Sequence, residues 1–167
     1  MIKRSEKLAF MEIDVPGTSG TTTKVFKRMT GFTEMSTSKN PQEYSRKYID
    51  EDYERSSVVG YSPSMSYKYD EEVGNDVHKA LAEIADSELC GDAATVRILI
   101  VDLSAPTSSG GSSFNAVARE YAVIPNSEGD DDNTYTRSGD FKVAGEKVFG
   151  TASTTDAWQT ATFTETQ

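Results

Sequence analysis

The stretch that decides the fold runs from residue 29 to residue 72 and reads MTGFTEMSTSKNPQEYSRKYIDEDYERSSVVGYSPSMSYKYDEE. Residue types that favour β-strands alternate through it with Glu, Arg, Lys and Asp, and six of its residues are tyrosines. The stretch is too polar to form a closed core and too rich in β-forming residues to be disordered. It therefore predicts strands that keep one face for another protein surface.

Length and composition predict a soluble, single-domain protein that spans residues 1–167, with 36% hydrophobic and 26% charged residues. No apolar stretch is long enough to span a bilayer, and no apolar segment follows the charged N-terminus, so neither a membrane span nor a secretory signal is expected. The net charge of −10 argues against a partner held through phosphate contacts. Solubility is the commoner explanation for such a charge, and a surface past which DNA must slide without binding is the alternative.

Alternating patterns predict strands on both sides of this stretch and within it. The predicted strand Lys24–Ser38 carries Gly31 in its middle, which indicates a bulge or bend. The predicted strand Ser56–Tyr69 contains Pro63, which indicates an edge strand or a break. We predict strands at Lys7–Val15, Lys24–Ser38, Glu43–Ile49, Ser56–Tyr69, Thr95–Leu103, Phe114–Ile124, Thr134–Val143, Glu146–Thr154 and Trp158–Glu165. The pair on either side of Ala144-Gly145 has a hairpin-like pattern.

One helix is predicted, over residues 75–89. Val77, Leu81 and Ile84 recur at helical spacing, with Asn75 or Asp76 as N-cap and Gly91 just past the end. Roughly eight strands and one amphipathic helix predict a mainly-β fold, a β-sandwich or barrel with the helix packed outside it. The most apolar strand, Thr95–Leu103, is expected at the centre of the core.

Residues that could carry chemistry are few. His78 is the sole histidine and Cys90 the sole cysteine; we expect a surface histidine in the first helical turn and a semi-buried thiol at the helix end. The glycines of Ala105–Ser113 lack the lysine of a phosphate-binding loop, which indicates a flexible loop. The acidic residues 128–133 fit a solvated turn better than a calcium loop, because the EF-hand pattern is missing. No enzymatic activity, cofactor or metal site is predicted. A hydrolase that uses a pair of carboxylates remains an alternative, because the chain has 27 acidic residues.

Four segments, taken together and in order, resemble phage major tail tube proteins of the kind encoded by phages and prophages of low-GC Gram-positive bacteria. The similarity covers most of the chain, and it is less distinct around the helix and around Thr107–Ser113. The matching segments are Phe26–Glu51, Val58–Asp70, Arg119–Asp131 and Ser138–Glu165.

The resemblance implies a single tail tube domain over residues 1–167, β-sandwich-like with one outer helix. It implies hexameric rings that stack into a hollow tail tube, with strands lent to an inner β-barrel whose lumen carries DNA during ejection. The implied partners are further copies of the chain, a tape-measure protein and tail tip or terminator proteins, with DNA passing unbound. The implied location is the tail of the virion, after assembly in the host cytoplasm.

The density of Tyr and paired charge between residues 44 and 55 predicts a contact with a neighbouring subunit or ring. The alternative is an ordinary solvated hairpin, since exposed Tyr and charge are common on surfaces. For the whole chain, the alternative function is a β-sandwich binding module of a phage particle, for a receptor or a carbohydrate. The candidate contact residues are Tyr44, Arg46, Tyr48, Asp50, Glu51, Asp52, Tyr53 and Arg55.

Overall fold

A computed structural model describes residues 1–107, 111–129 and 131–166. These residues form eleven β-strands, one α-helix and two short 3-10 turns, Arg4–Glu6 and Gly91–Ala94. The elements are β1 (Lys7–Pro16), β2 (Thr22–Arg28), β3 (Phe32–Ser38), β4 (Pro41–Lys47), β5 (Glu54–Tyr61), β6 (Ser64–Asp70), α1 (Asp76–Asp86), β7 (Thr95–Pro106), β8 (Phe114–Glu128), β9 (Thr136–Val143), β10 (Val148–Ser153) and β11 (Thr160–Glu165).

Six antiparallel strands close into a barrel, in the order β1, β2, β11, β10, β8, β7 and back to β1. Because the barrel is closed, each of these strands has a hydrogen-bonded neighbour on both sides within the barrel. Strand β1 is buried on both faces because its side chains alternate between two cores: Leu8 and Phe10 face the barrel interior, whereas Ala9 and Met11 face away. The barrel interior also holds Phe26, Leu99, Val101, Ala116, Ala118, Ala152 and Ala161.

A four-stranded sheet continues from the barrel through the long strand β8. The first half of β8 pairs with β10, whereas its second half, from Tyr121 onward, pairs with β9, which is followed by β6 and β3. Between this sheet and the barrel lies the second core, which includes the inward residues Met65, Tyr67 and Tyr69 of β6. Helix α1 closes this core with Val77, Leu81 and Ile84.

The helix begins where the sequence predicts and ends earlier. The side chain of Asn75 accepts hydrogen bonds from the backbone N–H groups of Val77 and His78, so the predicted N-cap is confirmed. Glu88 takes a left-handed conformation, with φ of 48°. The N–H groups of Glu88 and Leu89 then donate to the carbonyls of Ala85 and Ile84, a Schellman closure that stops the helix before Gly91.

The predicted mainly-β fold with one outer helix is confirmed, and three predictions about strands need correction. Lys24–Ser38 is two strands, because Gly31, with φ of 75°, turns the chain from the barrel to the sheet. Ser56–Tyr69 is also two strands, broken at the predicted Pro63. The predicted hairpin around Ala144-Gly145 is wrong: β9 and β10 do not pair with each other but lie in succession along one edge of β8.

Two of the sequence predictions concern residues that lie partly outside the described part of the chain. The predicted loop Ala105–Ser113 includes residues 108–110, and its first two residues belong to β7. The predicted acidic turn includes residue 130, and β8 extends to Glu128 within that turn. The metal and flexibility predictions for these segments therefore stay predictions.

Candidate functional site

A hairpin made of β4 and β5 projects from the sheet. The two strands pair only with each other among the described residues, and nearly every residue in them is exposed. The hairpin prolongs the β3–β6 ladder, which ends at the pair Ser38 and Ser64. Seven residues of strand rise about 23 Å, so the turn lies far from the body of the subunit.

Asn40 fixes the base of this hairpin. Its φ of 42° redirects the chain between β3 and β4. Its carbonyl accepts a hydrogen bond from the N–H of Ser62 at 3.2 Å, and its side-chain Nδ2 donates to the carbonyl of Ser62 at 3.0 Å. These bonds tie the two crossing segments together, which makes the base the fixed part of the projection.

Four of the predicted contact residues gather on one face of the hairpin. Arg46 and Arg55 are register partners across the ladder, and each guanidinium carbon lies 5.8 Å from the ring centroid of Tyr48. Arg46 also donates to the hydroxyl of Tyr44 at 3.3 Å. This face is held together by cation–π contacts and is open to solvent, a combination typical of contact surfaces.

The other four predicted residues lie in and beside the turn. Glu51 forms an ion pair with Arg55, whereas Asp50 and Asp52 form no ion pair with any described residue. Ile49 is fully exposed but is not among the predicted contact residues, because the sequence pattern places it at the end of a strand rather than in a turn. The turn therefore presents an exposed isoleucine followed by two carboxylates that form no ion pair with a described residue.

The sheet of β3, β6, β9 and β8 has an outer face rich in serine, opposite the face that covers the core. We call this the serine face, and it comprises Ser36, Ser38, Ser64, Ser66, Ser127 and Ser138. Its hydroxyls bond within the sheet: Ser66 donates to Asp140 at 2.8 Å, and the Ser127 and Ser138 oxygens lie 2.8 Å apart. The same face carries Glu34, Lys68, Asp70, Asp140 and Lys142, by alternation along the strands. Its charges nearly cancel.

This sheet also has two unpaired edges. Strand β3 pairs only with β6, so its other edge carries no strand among the described residues. The ladder between β7 and β8 stops at Ala122, so within the described part of the chain Val123–Glu128 has a partner strand on one side only. The two edges lie on opposite sides of one antiparallel sheet, and each offers backbone groups for pairing.

His78 is fully buried, so the prediction of a surface histidine is wrong. Its Nδ1 accepts from the N–H of Glu72 at 3.1 Å, and its Nε2 donates to the carbonyl of Thr30 at 2.8 Å, which requires the neutral ring. The ring stacks on Tyr69 with centroids 4.4 Å apart. Burial lowers the pKa of His78. With both nitrogens engaged, this histidine is structural.

Arg137 is a buried cation that sequence reasoning did not single out. It donates to Glu71, Asp86 and Glu128 at 2.7 to 2.9 Å, and so ties β9 to the end of the helix. The hydrogen bond from Arg137 lowers the pKa of Asp86, and the carboxylates raise that of Arg137. A single arginine in a β pattern gives no signal that three distant carboxylates surround it.

Three further observations bear on other chemistries. Cys90 is exposed, so the prediction of a semi-buried thiol is wrong. Within residues 1–107, 111–129 and 131–166, no group of three or more His, Cys, Asp or Glu side chains is placed to hold a metal ion. In the same residues, no helix has the length and apolar character needed to cross a membrane.

Comparison with known proteins gives a structural likeness only. No family model and no curated protein matches the sequence. A chain in the tail of an empty GTA particle, solved by helical refinement with C6 symmetry, matches with a TM-score of 0.59 and 12% identity, over 89% of this chain and 98% of that one. A chain in the six-fold symmetrised baseplate of the anti-feeding prophage matches with a TM-score of 0.49 and 8% identity, over 89% and 95%. The first likeness establishes a shared fold.

Proposed function

We propose that this chain is a structural protein of a phage-type tail, in which copies assemble into hexameric rings that stack as a hollow tube, the conduit for DNA ejection. The observation that carries the proposal is the fold shared with a chain of a six-fold symmetric tail. The whole chain, residues 1–167, is then one tail tube domain. Its place is the virion tail, after assembly in the host cytoplasm.

The two unpaired sheet edges support a ring. A free edge is an aggregation hazard for a single subunit, and head-to-tail pairing of β3 with the open part of β8 on the next copy would remove both edges. Such a contact is heterologous, so it closes a ring when the rotation between copies allows it. Each contact would join the β3 edge of one copy to the β8 edge of the next, so the sheets of successive copies would form one continuous inner wall.

Strand spacing supports a lumen wide enough for DNA. Six copies of a four-stranded sheet, with strands about 4.8 Å apart, give a circumference of about 115 Å and a diameter of about 37 Å between backbones. This is wider than a DNA duplex. The serine face would form the wall, where hydroxyls bonded within the sheet and nearly balanced charges give phosphates little to bind.

The remaining partners and chemistry follow from the same proposal. A tube needs a tape-measure protein and tail tip or terminator proteins, and DNA passes through it without specific binding. We propose no enzymatic activity and no cofactor. The projecting hairpin, with Tyr44, Tyr48 and Tyr53 exposed, would contact a neighbouring subunit or ring.

Electron microscopy of the concentrated protein, with native mass spectrometry of the same sample, tests the proposal. We expect rings of six copies, or tubes of uniform width, because the edges can pair without another chain. Rings of a different copy number would contradict the hexamer. A protein that stayed monomeric and bound a glycan or a receptor would instead favour the alternative, a binding module of a phage particle.

A further inference from the structure

We propose that the acidic turn of the hairpin on one copy docks into a basic cleft at the base of the hairpin on a second copy. This inference rests on the proposed self-assembly and names the surfaces that carry it. The turn supplies Ile49, Asp50 and Asp52, and the cleft supplies Lys39, Arg119 and Lys147.

The cleft concentrates positive charge in a chain whose net charge is −10. It has a volume of about 560 Å³ and is lined by three cations, Lys39, Arg119 and Lys147, and by one carboxylate, Glu146. None of the three cations forms an ion pair with a described residue. Arg119 is held in place by its Nε, which donates to the carbonyl of Gly145 at 2.8 Å. The cleft therefore holds more positive than negative charge, which favours an acidic occupant.

The cleft also has apolar surface. Tyr61, Pro63 and Tyr121 contribute to its lining, and Tyr61 is well exposed. An occupant that carries an apolar side chain next to acidic groups would match both parts of the lining. Aromatic side chains at a contact surface are frequent anchors of binding energy.

The turn has the matching composition. Ile49 is fully exposed, and Asp50 and Asp52, which follow it in the turn, have no ion-pair partners among the described residues. Opposite charges that meet across an interface select the right partner and speed the encounter. Burying Ile49 against the aromatic lining would add the apolar part of the contact.

The geometry requires the two sites to belong to different copies. The turn lies about 23 Å of strand away from the base of its own hairpin. A hairpin of this length extends beyond the body of its own subunit, so the cleft that receives its turn belongs to a neighbouring copy. Because the turn and the cleft are different surfaces, the contact is heterologous and repeats around a closed ring.

Charge reversal tests the contact with two variants. Asp50→Lys with Asp52→Lys reverses the turn, and Lys39→Glu with Lys147→Glu reverses the cleft; all four side chains are exposed. A control, Glu88→Lys with Asp92→Lys, makes the same change in net charge as the turn variant at exposed positions near the helix end. Thermal unfolding shows whether each variant is folded before the critical concentration for assembly is measured.

We expect each reversed variant alone to raise the critical concentration at least tenfold, and the control to match the wild type. An equimolar mixture of the two reversed variants should assemble again, because copies in strict alternation place reversed turn against reversed cleft and natural turn against natural cleft. A ring of six allows that alternation.

The outcomes separate this contact from the proposed function. If the wild type assembles and the turn variant assembles equally well, the docking is wrong and the tube proposal stands. If both single variants fail and their mixture also fails, the two surfaces do not meet, and the docking is again wrong. A wild type that stays monomeric at all concentrations would overturn both proposals.

Discussion

Gly150, in β10, lies where two barrel strands leave no space for a side chain. A Cβ atom there would be 2.2 Å from the carbonyl oxygen of Thr164 and 2.7 Å from the ring of Phe163. Gly60, in β5, is also a strand glycine, but a Cβ there would be 3.9 Å from its nearest neighbour, Oε1 of Gln42. The two positions therefore form a matched pair.

We predict that Gly150→Ala lowers the free energy of unfolding by about 1–3 kcal/mol, because the backbone of β11 must move. Gly60→Ala should change it by less than about 0.5 kcal/mol. Urea unfolding of both variants measures the difference. Equal stability of the two variants would show that the barrel is more loosely packed here than the structure indicates.

His78 makes the stability of the fold depend on pH. Its pKa in the folded protein lies below the ordinary value of about 6.5, first because the ring is buried. Above that value the ring is neutral in both states, and the folded state keeps its full stability. As pH falls below it, the unfolded chain gains a proton that the folded chain resists, so stability is lost.

We predict that the free energy of unfolding falls between pH 7 and the lowered pKa of His78, and that this slope is reduced in His78→Gln. Glutamine can retain a donor and an acceptor but does not titrate. Urea midpoints across this range check the prediction. The negative charges of Glu72, Glu71 and Asp70 favour the protonated ring and so oppose the loss of stability at low pH. If the slope is unchanged in His78→Gln, the pH dependence of stability comes from other groups.

The histidine shows what sequence reasoning misses at the scale of one residue. The first turn of an amphipathic helix gives no sign that the turn around Gly31 will cover it, yet Thr30 supplies the carbonyl that fixes the ring. A Cβ on Gly31 would lie 2.8 Å from the ring, so the glycine and the histidine fit each other. That relation joins residues far apart in sequence, and local periodicity does not contain it.

At the scale of elements, strand positions were predicted well and strand partners were not. Strand-forming residue types located β1, β7 and β11 to within a few residues. The partners of β9 and β10 depend on how β8 divides one edge between them, which no local pattern encodes. The Schellman closure at Glu88 was missed because it uses a non-glycine residue in a left-handed conformation.

We predict that the exposed tyrosines of the hairpin are needed for assembly and not for folding of the subunit. Tyr48→Ala with Tyr53→Ala should leave a folded subunit, because both side chains are exposed and the hairpin pairs with no other described strand. The double variant should impair ring or tube formation, since it removes two aromatic anchors. Electron microscopy and thermal unfolding of the same sample report both results.

Tyr48→Phe with Tyr53→Phe is the control, because it keeps the rings and removes only the hydroxyls. We expect this variant to assemble. Normal tubes from the alanine variant would show that the hairpin is an ordinary solvated one, which is the alternative that the sequence left open.

At the scale of the whole molecule, the charges of the serine face can be tested in assembled tubes. Glu34→Lys with Asp140→Lys would turn a nearly neutral face into a basic one. We predict that tubes still form but retain DNA at low salt, because each lysine near a phosphate adds salt-sensitive affinity. Co-sedimentation of DNA with tubes, with protection from nuclease as the sign of an inner location, measures the effect.

Glu88→Lys with Asp92→Lys adds the same charge at exposed positions near the helix end and should protect no DNA. Protection that was the same for both variants would place the serine face outside the lumen. Loss of tubes from the first variant alone would instead show that Glu34 or Asp140 lies in a subunit contact.

A mainly-β body with one helix could be predicted from the whole sequence, but the division between barrel and sheet could not. The closed barrel depends on the pairing of β8 with β10 and of β11 with β2, contacts between segments far apart in the chain. The basic cleft likewise combines Lys39 with Arg119 and Lys147 from distant segments. Such surfaces become visible only when the chain is folded.

The unsupported hairpin has a kinetic consequence for a growing polymer. A two-stranded ladder alone is marginally stable. The first copies that meet therefore lose conformational entropy when their hairpins become ordered, which makes the first contact unfavourable. A copy that joins an existing ring finds the receiving surface already in place. Nucleation should therefore be much slower than elongation, so that a solution of subunits shows a lag phase that preformed rings abolish. Tubes would then grow where a seed is present and not throughout the cell.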